Sequence, residues 1–332
     1  EGVHYKPAAI LGSVDRWYTH RPGSRVNVPA DIKNMVRDRL LGIFFSQSFD
    51  IIDRGIGTKE DLDFGCQISL ALKEGPFEVM RDLGEAEVMR IMKKFQQERP
   101  GFPQSQAPFN TYQAFKRYIL VDEIDGVKII TIRRPQALNA LNQEITGEIL
   151  SVLKEFHADP AVKGFVITGY GKSAFSAGAD IGNFPEKLGD YDASVQYCRD
   201  YAQVQLFMDK MEKPVIAAIN GMVLGGGLEV AIRCHGMVAV SDAFFQFPEI
   251  TLGILPALGG CVVPYRKWPQ GAALFHEMIC LGRPVKVKEA LEMGMVSKIV
   301  DNYYDLINEA IKEVKNMAGK VKRIPEGKVA IS

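Results

Sequence analysis

The chain carries no surplus of charge of either sign. Lys and Arg together number 40, and so do Asp and Glu, so nothing marks nucleic acid or another polyanion as its main partner. It lacks any apolar run near the roughly 18–20 residues that cross a bilayer, and its N-terminus has no apolar signal-peptide core. Neither a membrane partner nor a secretory route is expected. Cysteine is scarce: Cys66, Cys198, Cys234, Cys261 and Cys280 are five, an odd number, without CxxC spacing. They read as small buried side chains of a protein kept in a reducing compartment, the cytoplasm, and not as a disulfide framework or zinc site. The five histidines show neither HxH nor HExxH spacing, so no metal is expected.

What remains is an ordinary globular composition, 47% apolar over 332 residues, enough for about two domains. The first residues are Glu-Gly and not Met, which suggests a piece of something longer. Up to about residue 30 the chain is irregular, broken by Pro7, Pro22, Gly23 and Pro29. From Asp31 a helical period sets in, with Ile32, Met35, Val36, Leu40, Phe44 and Phe49 at three- to five-residue intervals. Gly55-Ile-Gly57 stops that helix, Thr58 with Asp61 starts the next, and Glu85–Glu98 forms a third. Domain 1–100 is therefore expected to be helical, and the Pro-, Gln- and Ser-rich stretch to residue 114 a linker (101–114).

The pattern changes class in 115–332. YILVDEIDGVKIITI alternates on either side of Asp125-Gly126, a hairpin signal. Helix Gln143–Phe156, strand 162–169, helix 192–212, strand 214–221, a glycine-opened helix, strand 236–241 and helices 286–293 and 304–317 follow. Strands alternating with helices in this way indicate a mostly parallel, layered α/β domain.

Three glycine motifs mislead. Gly169-Tyr-Gly-Lys-Ser-Ala174 fits GxGxxA but meets another glycine turn where a dinucleotide fold needs a helix. Lys172-Ser173 follows a glycine but lacks the P-loop's first glycine, because Val166 stands there. The GxG at 55–57 lies between helices and reads as a C-cap.

The informative stretch is NGMVLGGGLEVAIRC (220–234), where three glycines open an apolar helix holding one acid, Glu229. A second acid, Glu249, follows in FQFPEITLGILPALGG (245–260). Glycines that merely allow close packing, beside solvated glutamates, are the plain alternative. The apolar neighbours of Glu229 weaken it, since a carboxylate there is costly unless partnered or functional. KSAFSAGADIGNF (172–184) supplies a second small-residue loop at a strand end. One loop amide and one helix-start amide aimed at a single oxygen would make an oxyanion hole.

From about 118 to 300 the chain resembles the crotonase (enoyl-CoA hydratase/isomerase) superfamily. The resemblance rests on RRPQALNALN (133–142), GKSAFSAGADI (171–181), AAINGMVLGGGLEVAIRC (217–234), FQFPEITLGILPALGG (245–260) and GRPVKVKEALEMGMVSKIV (282–300). It implies an α/β fold, a layered β-β-α superhelix behind the N-terminal helical domain. It places the oxyanion hole at the amides of Ala179 and Gly226, and the catalytic acids at Glu229 and Glu249. It implies coenzyme A contacts near Ala137, Leu138, Ala177, Asp180 and Ile181, an acyl-CoA thioester as substrate, no cofactor beyond that substrate, and a homo-oligomer, trimeric or dimer-based. Hydratases of the family carry both acids, whereas isomerases often keep only the equivalent of Glu249. In the implied mechanism Glu229 orients and activates water. Glu249 starts protonated, or shares the water's proton, and delivers one to C2. An isomerase, a hydrolase or lyase, or a non-catalytic acyl-CoA-binding module are the alternatives.

Ala257 stands where the family commonly has glycine, and the Thr-Gln-Arg of its next segment is absent, which leaves chain-length preference open. Only 32 residues follow Val300, fewer than the trimer-forming helical segment usually occupies. Residues 28–96, with GIGTKEDLDF (55–64) and GPFEVMRDLG (75–84), resemble the C-terminal helical domain of 3-hydroxyacyl-CoA dehydrogenases. The dehydrogenase's NAD-binding domain has no counterpart, so a fused dehydrogenase–hydratase lacking dehydrogenase activity is the reading, with the front helices as scaffold.

Overall fold

A computed structural model describes residues 26–180 and 190–328, together with 12, 13, 15, 21, 24 and 182. The chain divides into two compact units, Glu1–Phe115 and Lys116–Ser332.

In the first unit, helices α1 (Ala30–Asp53), α2 (Lys59–Ser69), α3 (Pro76–Leu83), α4 (Glu85–Glu98) and α5 (Phe109–Gln113) surround one apolar cluster. Thr58 Oγ1 accepts from the Asp61 amide at 3.1 Å and so caps α2. The periodic apolar face of α1 is only half used: Phe45 and Phe49 are buried, whereas Ile32, Met35, Val36 and Leu40 are exposed. Segment 101–114, expected as a linker, belongs to this unit instead. Phe109 and Tyr112 are buried in its core, and the Tyr112 hydroxyl donates to Asp53 at 2.6 Å. Lys59 Nζ donates to the carbonyls of Thr111 (2.8 Å) and Ala114 (2.9 Å). The Pro- and Gln-rich composition conceals two aromatics three residues apart, which is one helical turn.

The second unit begins with the hairpin β1 (Ile119–Ile124) and β2 (Val127–Ile132), turning where both Asp125 and Gly126 have positive φ. Asn142 caps α6 (Gln143–His157) by accepting from the Ile145 amide at 2.8 Å. The chain then coils, alternating strands between two sheets: β3 (Gly164–Gly169) and β4 (Ala174–Ser176), then α7 (Tyr191–Met208); β5 (Val215–Ile219) and β6 (Met222–Leu224), then α8 (Gly225–Arg233); β7 (Gly236–Val240) and β8 (Phe244–Gln246). Where the sequence pattern offers nothing between 241 and 286, the structure places β8, α9 (Val263–Lys267), α10 (Ala272–Leu281) and β9 (Val285–Lys286). Helix α11 (Val287–Glu292), β10 (Lys298–Val300) and α12 (Tyr303–Met317) complete the unit.

The larger sheet has the order β1-β2-β3-β5-β7-β10, parallel except for the hairpin. The smaller has the order β4-β6-β8-β9, with β4, β6 and β8 parallel. Parallel neighbours end at the same edge, so the loops after β4, β6 and β8 meet there. The core between the layers is almost wholly aliphatic and aromatic, with α12 packed on β3, β5 and β7.

Cys66 and Cys234 are buried as expected, Cys198 and Cys261 only partly, and Cys280 is exposed beside His276; all five are free thiols. Among the described residues no helix is long and apolar enough to cross a membrane.

A Cβ on Gly227 would lie 2.6 Å from Ser176 Cβ, which shows how closely α8 sits on β4. Alanine normally favours a helix by about 1 kcal/mol over glycine. Here Gly227→Ala is expected to lower stability by about 1–3 kcal/mol through overpacking. A denaturant midpoint equal to or above the parent's would show that the contact is not tight.

Candidate active site

Three neighbouring parallel strands bring the site together. After β4 comes Ala177-Gly178-Ala179, in which Gly178 has φ +102°. This loop is laced to residues 138–141: the Ala177 amide donates to Leu138 O (2.9 Å), Leu141 N–H to Gly178 O (2.8 Å) and Asp180 N–H to Leu141 O (2.7 Å). The last two bonds flank Ala179, whose own amide takes no part in them. After β6, α8 starts at Gly225, and the Gly226 amide lies in a first turn that has no intrahelical acceptors. A Cβ on Gly226 would lie 3.2 Å from the Ala179 nitrogen. The two amides expected to form an oxyanion hole are therefore neighbours.

Each glycine of the triplet answers a different approach. Gly225 has φ +44°, and a Cβ there would lie 2.8 Å from Glu249 Oε1; Gly226 faces Ala179; Gly227 faces Ser176. Two buried asparagine side chains steady the strand corners. Asn139 donates to Tyr170 O (3.1 Å) and Ala174 O (2.8 Å), and its own oxygen accepts from the Arg134 amide. Asn220 donates to Gly171 O (2.8 Å) and accepts from the Gly169 amide (3.0 Å). Neither stands out in the sequence, since their partners are backbone groups that any residue could supply.

Glu229 lies one turn into α8 and is 2% exposed. Its Oε1 accepts from the amides of Leu258 (2.7 Å) and Gly260 (2.9 Å). Burial pushes its pKa upward, while those two amides and the Arg233 charge pull it back. Glu249 follows β8 at the start of a 3-10 turn, Glu249–Leu252, and is 8% exposed. Its Oε2 is buried without a hydrogen-bond partner. Burial, reinforced by the nearby Glu229 charge and offset only by its own amide, raises its pKa to about 7. Thus burial raises both acids, but two fixed amides counter the rise at Glu229, whereas Glu249 keeps its proton up to about neutrality.

Both acids and both amides line one cavity of about 410 Å³. Ser194, Tyr197 and Cys198 of α7 form one wall, and Ile254, Leu255, Ala257 and Leu258 another. The sequence reading missed these walls apart from Ala257; the pair Gly259-Gly260 was the available signal that amides there serve a partner. A polar cavity of about 470 Å³ adjoins it at Tyr197, lined by Arg134, Asn142, Gln143, Glu144, Asp180 and Tyr201. Asp180 pairs with Arg134 at 2.6 Å and accepts from the Gly182 amide at 3.0 Å. Ala137 ends the 3-10 turn Pro135–Ala137, and Leu138, at φ +50°, is exposed. Of the expected coenzyme A contacts, Ala137, Leu138, Ala177 and Asp180 thus gather around one backbone lacing, and Ile181 lies outside the described residues. Among the described residues no group of His, Cys, Asp and Glu side chains could hold a metal ion.

Raising a carboxyl pKa in the folded state has a defined sign. The folded protein binds the Glu249 proton more tightly than the unfolded chain does, so stability is lost as pH rises from about 4.5 through about 7. Glu249→Gln removes that loss. Its Tm is expected to exceed the parent's at pH 8 and to match it near pH 4.5, by calorimetry; the reverse order would contradict this electrostatic account.

Comparison with known proteins follows the same lines. The family model described as Enoyl-CoA hydratase/isomerase matches residues 122–326. A crotonyl-CoA hydratase of Syntrophomonas wolfei is 34% identical over 215 residues, covering 64% of this chain and 78% of its own. A short-chain-enoyl-CoA hydratase of Clostridium acetobutylicum is 37% identical over 205 residues, covering 60% and 74%. The crystal structure of an enoyl-CoA hydratase from Bacillus anthracis superposes with a TM-score of 0.55 at 29% identity, covering 61% of this chain and 77% of that one. The chain, with its crotonase-like α/β unit behind a helical one, belongs to the enoyl-CoA hydratase/isomerase family.

Proposed function

We propose that the second unit is an enoyl-CoA hydratase, adding water across the C2–C3 double bond of a 2-enoyl-CoA to give a 3-hydroxyacyl-CoA. The observation that carries this reading is the pair of buried acids, one met by two backbone amides and the other with an unpartnered oxygen, on the cavity that also holds the Ala179 and Gly226 amides. The thioester oxygen takes hydrogen bonds from these amides, and they strengthen as it gains enolate charge. Glu229 holds and activates the water whose oxygen bonds to C3. Glu249 gives a proton to C2, and the water's remaining proton restores the acid pair. Because the two carboxyls interact, the pair shares its titration, and the separate roles describe its dominant state. Electrons only shift within the substrate, so the reaction calls for no redox cofactor.

An isomerase would move one proton between C2 and C4 and needs a single acid. The two amides that pin Glu229 favour the two-acid reaction. We further propose that Ala137, Leu138, Ala177 and Asp180 border the coenzyme A moiety, and that the active form is a cytoplasmic homo-oligomer. The domain plan 1–100, 101–114 and 115–332 is kept in its essentials, with 101–114 assigned to the helical unit. That unit is proposed as a scaffold related to the C-terminal helical domain of 3-hydroxyacyl-CoA dehydrogenases, which makes the chain part of a fused dehydrogenase–hydratase.

Crotonyl-CoA should lose its conjugated-thioester absorbance in the presence of the protein. No loss at high protein concentration, with 3-enoyl-CoA becoming conjugated instead, would replace hydration by isomerisation. Glu249→Gln is expected to lower kcat by at least about a hundredfold, with KM for the CoA ester little changed. Because the hydration step uses protonated Glu249, its kcat should fall as pH rises through about 7. A rate that climbs across that range would reverse the assigned roles.

A further inference from the structure

Helix α8 begins at the oxyanion amide and ends inside protein. Residues Gly225 to Ile232 are all buried, so the carbonyls of its last turn cannot turn to solvent for partners. The Cys234 amide donates to Ala231 O at 3.1 Å, and the Cys234 thiol to Val230 O at 3.5 Å. The remaining partner is Lys267, at the end of α9. Its Nζ donates to Ile232 O at 3.0 Å and to Cys234 O at 2.6 Å, and lies 4.7 Å from the Trp268 ring centroid.

The side chain is only partly exposed, and burial draws the ammonium's pKa down to about 8. Holding a cation there is costly, whereas a neutral donor would fill the same hydrogen bonds. The charge itself therefore calls for an explanation. Its other charged neighbours, Asp209 and Arg233, are paired with each other, which leaves the carbonyl end of α8 as the main feature facing the ammonium. Half-buried His235 accepts from the Val215 amide at 2.9 Å, and its pKa is lowered to about 4, so it adds no charge.

Resting on the hydratase reading, we propose that Lys267 is a positioning residue for the oxyanion hole: its ammonium fixes the carbonyl end of α8 and offsets the negative pole of that helix, so that the Gly226 amide is held in place and fully polarised toward the thioester oxygen. The eight rises of about 1.5 Å between Gly226 and Cys234 put the two ends about 12 Å apart. The path between them is buried throughout, so solvent screens the helix dipole little. A helix of two and a half turns also moves as one piece. A shift at Cys234 is therefore a shift at Gly226 and Glu229 together.

The test compares Lys267→Met, Lys267→Gln and Lys267→Arg, with crotonyl-CoA turnover and with acetoacetyl-CoA as a probe. The probe's enolate has its own ultraviolet band, so the enolate fraction per bound ligand reports the hole's polarising strength and is indifferent to how much protein is folded. Lys267→Met should lower kcat about tenfold with KM within about twofold, and cut the enolate fraction in proportion. Lys267→Gln, which keeps donors but not charge, should show most of the same loss, and Lys267→Arg should recover both readouts. If Lys267→Met does not fold, the Gln and Arg variants decide. An enolate fraction unchanged in Lys267→Gln, even with a lower Tm, would reduce the lysine to packing and overturn the proposal. The probe needs only an oxyanion hole. A Lys267-dependent enolate signal in a chain that leaves crotonyl-CoA untouched would therefore uphold the proposal and sink the hydratase reading alone.

Discussion

The start of α8 can occupy its position only because three successive residues have no side chain. Each glycine admits a different neighbour: the Glu249 carboxylate at Gly225, the Ala179 amide at Gly226 and the Ser176 side chain at Gly227. A Cβ on Gly227 would run into β4, one on Gly226 would crowd the Ala179 amide, and one on Gly225 would displace the Glu249 carboxyl. The small sheet, the polarised first turn and the placement of both acids all follow from this close approach. Glycine is usually a poor helix former, and α8 offsets that weakness by being buried along its whole length.

The same burial separates the two carboxyls electrostatically. Both leave water, and both are pushed toward the neutral form. Glu229 is met by two fixed amides from the turn after Pro256, whereas the free oxygen of Glu249 is met by nothing. The unequal environments of two like residues thus come from backbone geometry around one side chain, with no change of residue type. The guanidinium of Arg233 is paired with Asp209 and reaches Glu229 only through its field.

How much of this could be read from residues varied with the length of the element. The hairpin at Asp125-Gly126, α6 and the aliphatic strands β3, β5 and β7 declare themselves, because each is long enough to show a period or an unbroken apolar run. β4, β6, β8 and β9 span three residues or fewer, too short for any period, so the second sheet was invisible. Segment 101–114 was misjudged because its prolines outweighed Phe109 and Tyr112. At the site, glycines and acids were legible by type. The amides of Leu258 and Gly260, the corner-holding Asn139 and Asn220, and the α7 wall were not, since backbone donors and ordinary polar residues carry no mark of their role. Lys267 looked like any surface base, and only the buried carbonyls before it single it out.

The parallel order of β4, β6 and β8 has one more consequence. Each functional piece arrives on its own turn of the coil: the first amide after β4, the second amide with Glu229 after β6, and Glu249 after β8. No two turns contain the whole set. During folding the cavity therefore has no partly assembled precursor, because residues about seventy positions apart must come into register before Ala179 and Glu249 share one wall. Under substitution the arrangement acts in the opposite sense. The turn that bears Glu249 is separate from those that bear the amides, so under the proposed reading a change of that acid leaves the two amides in place.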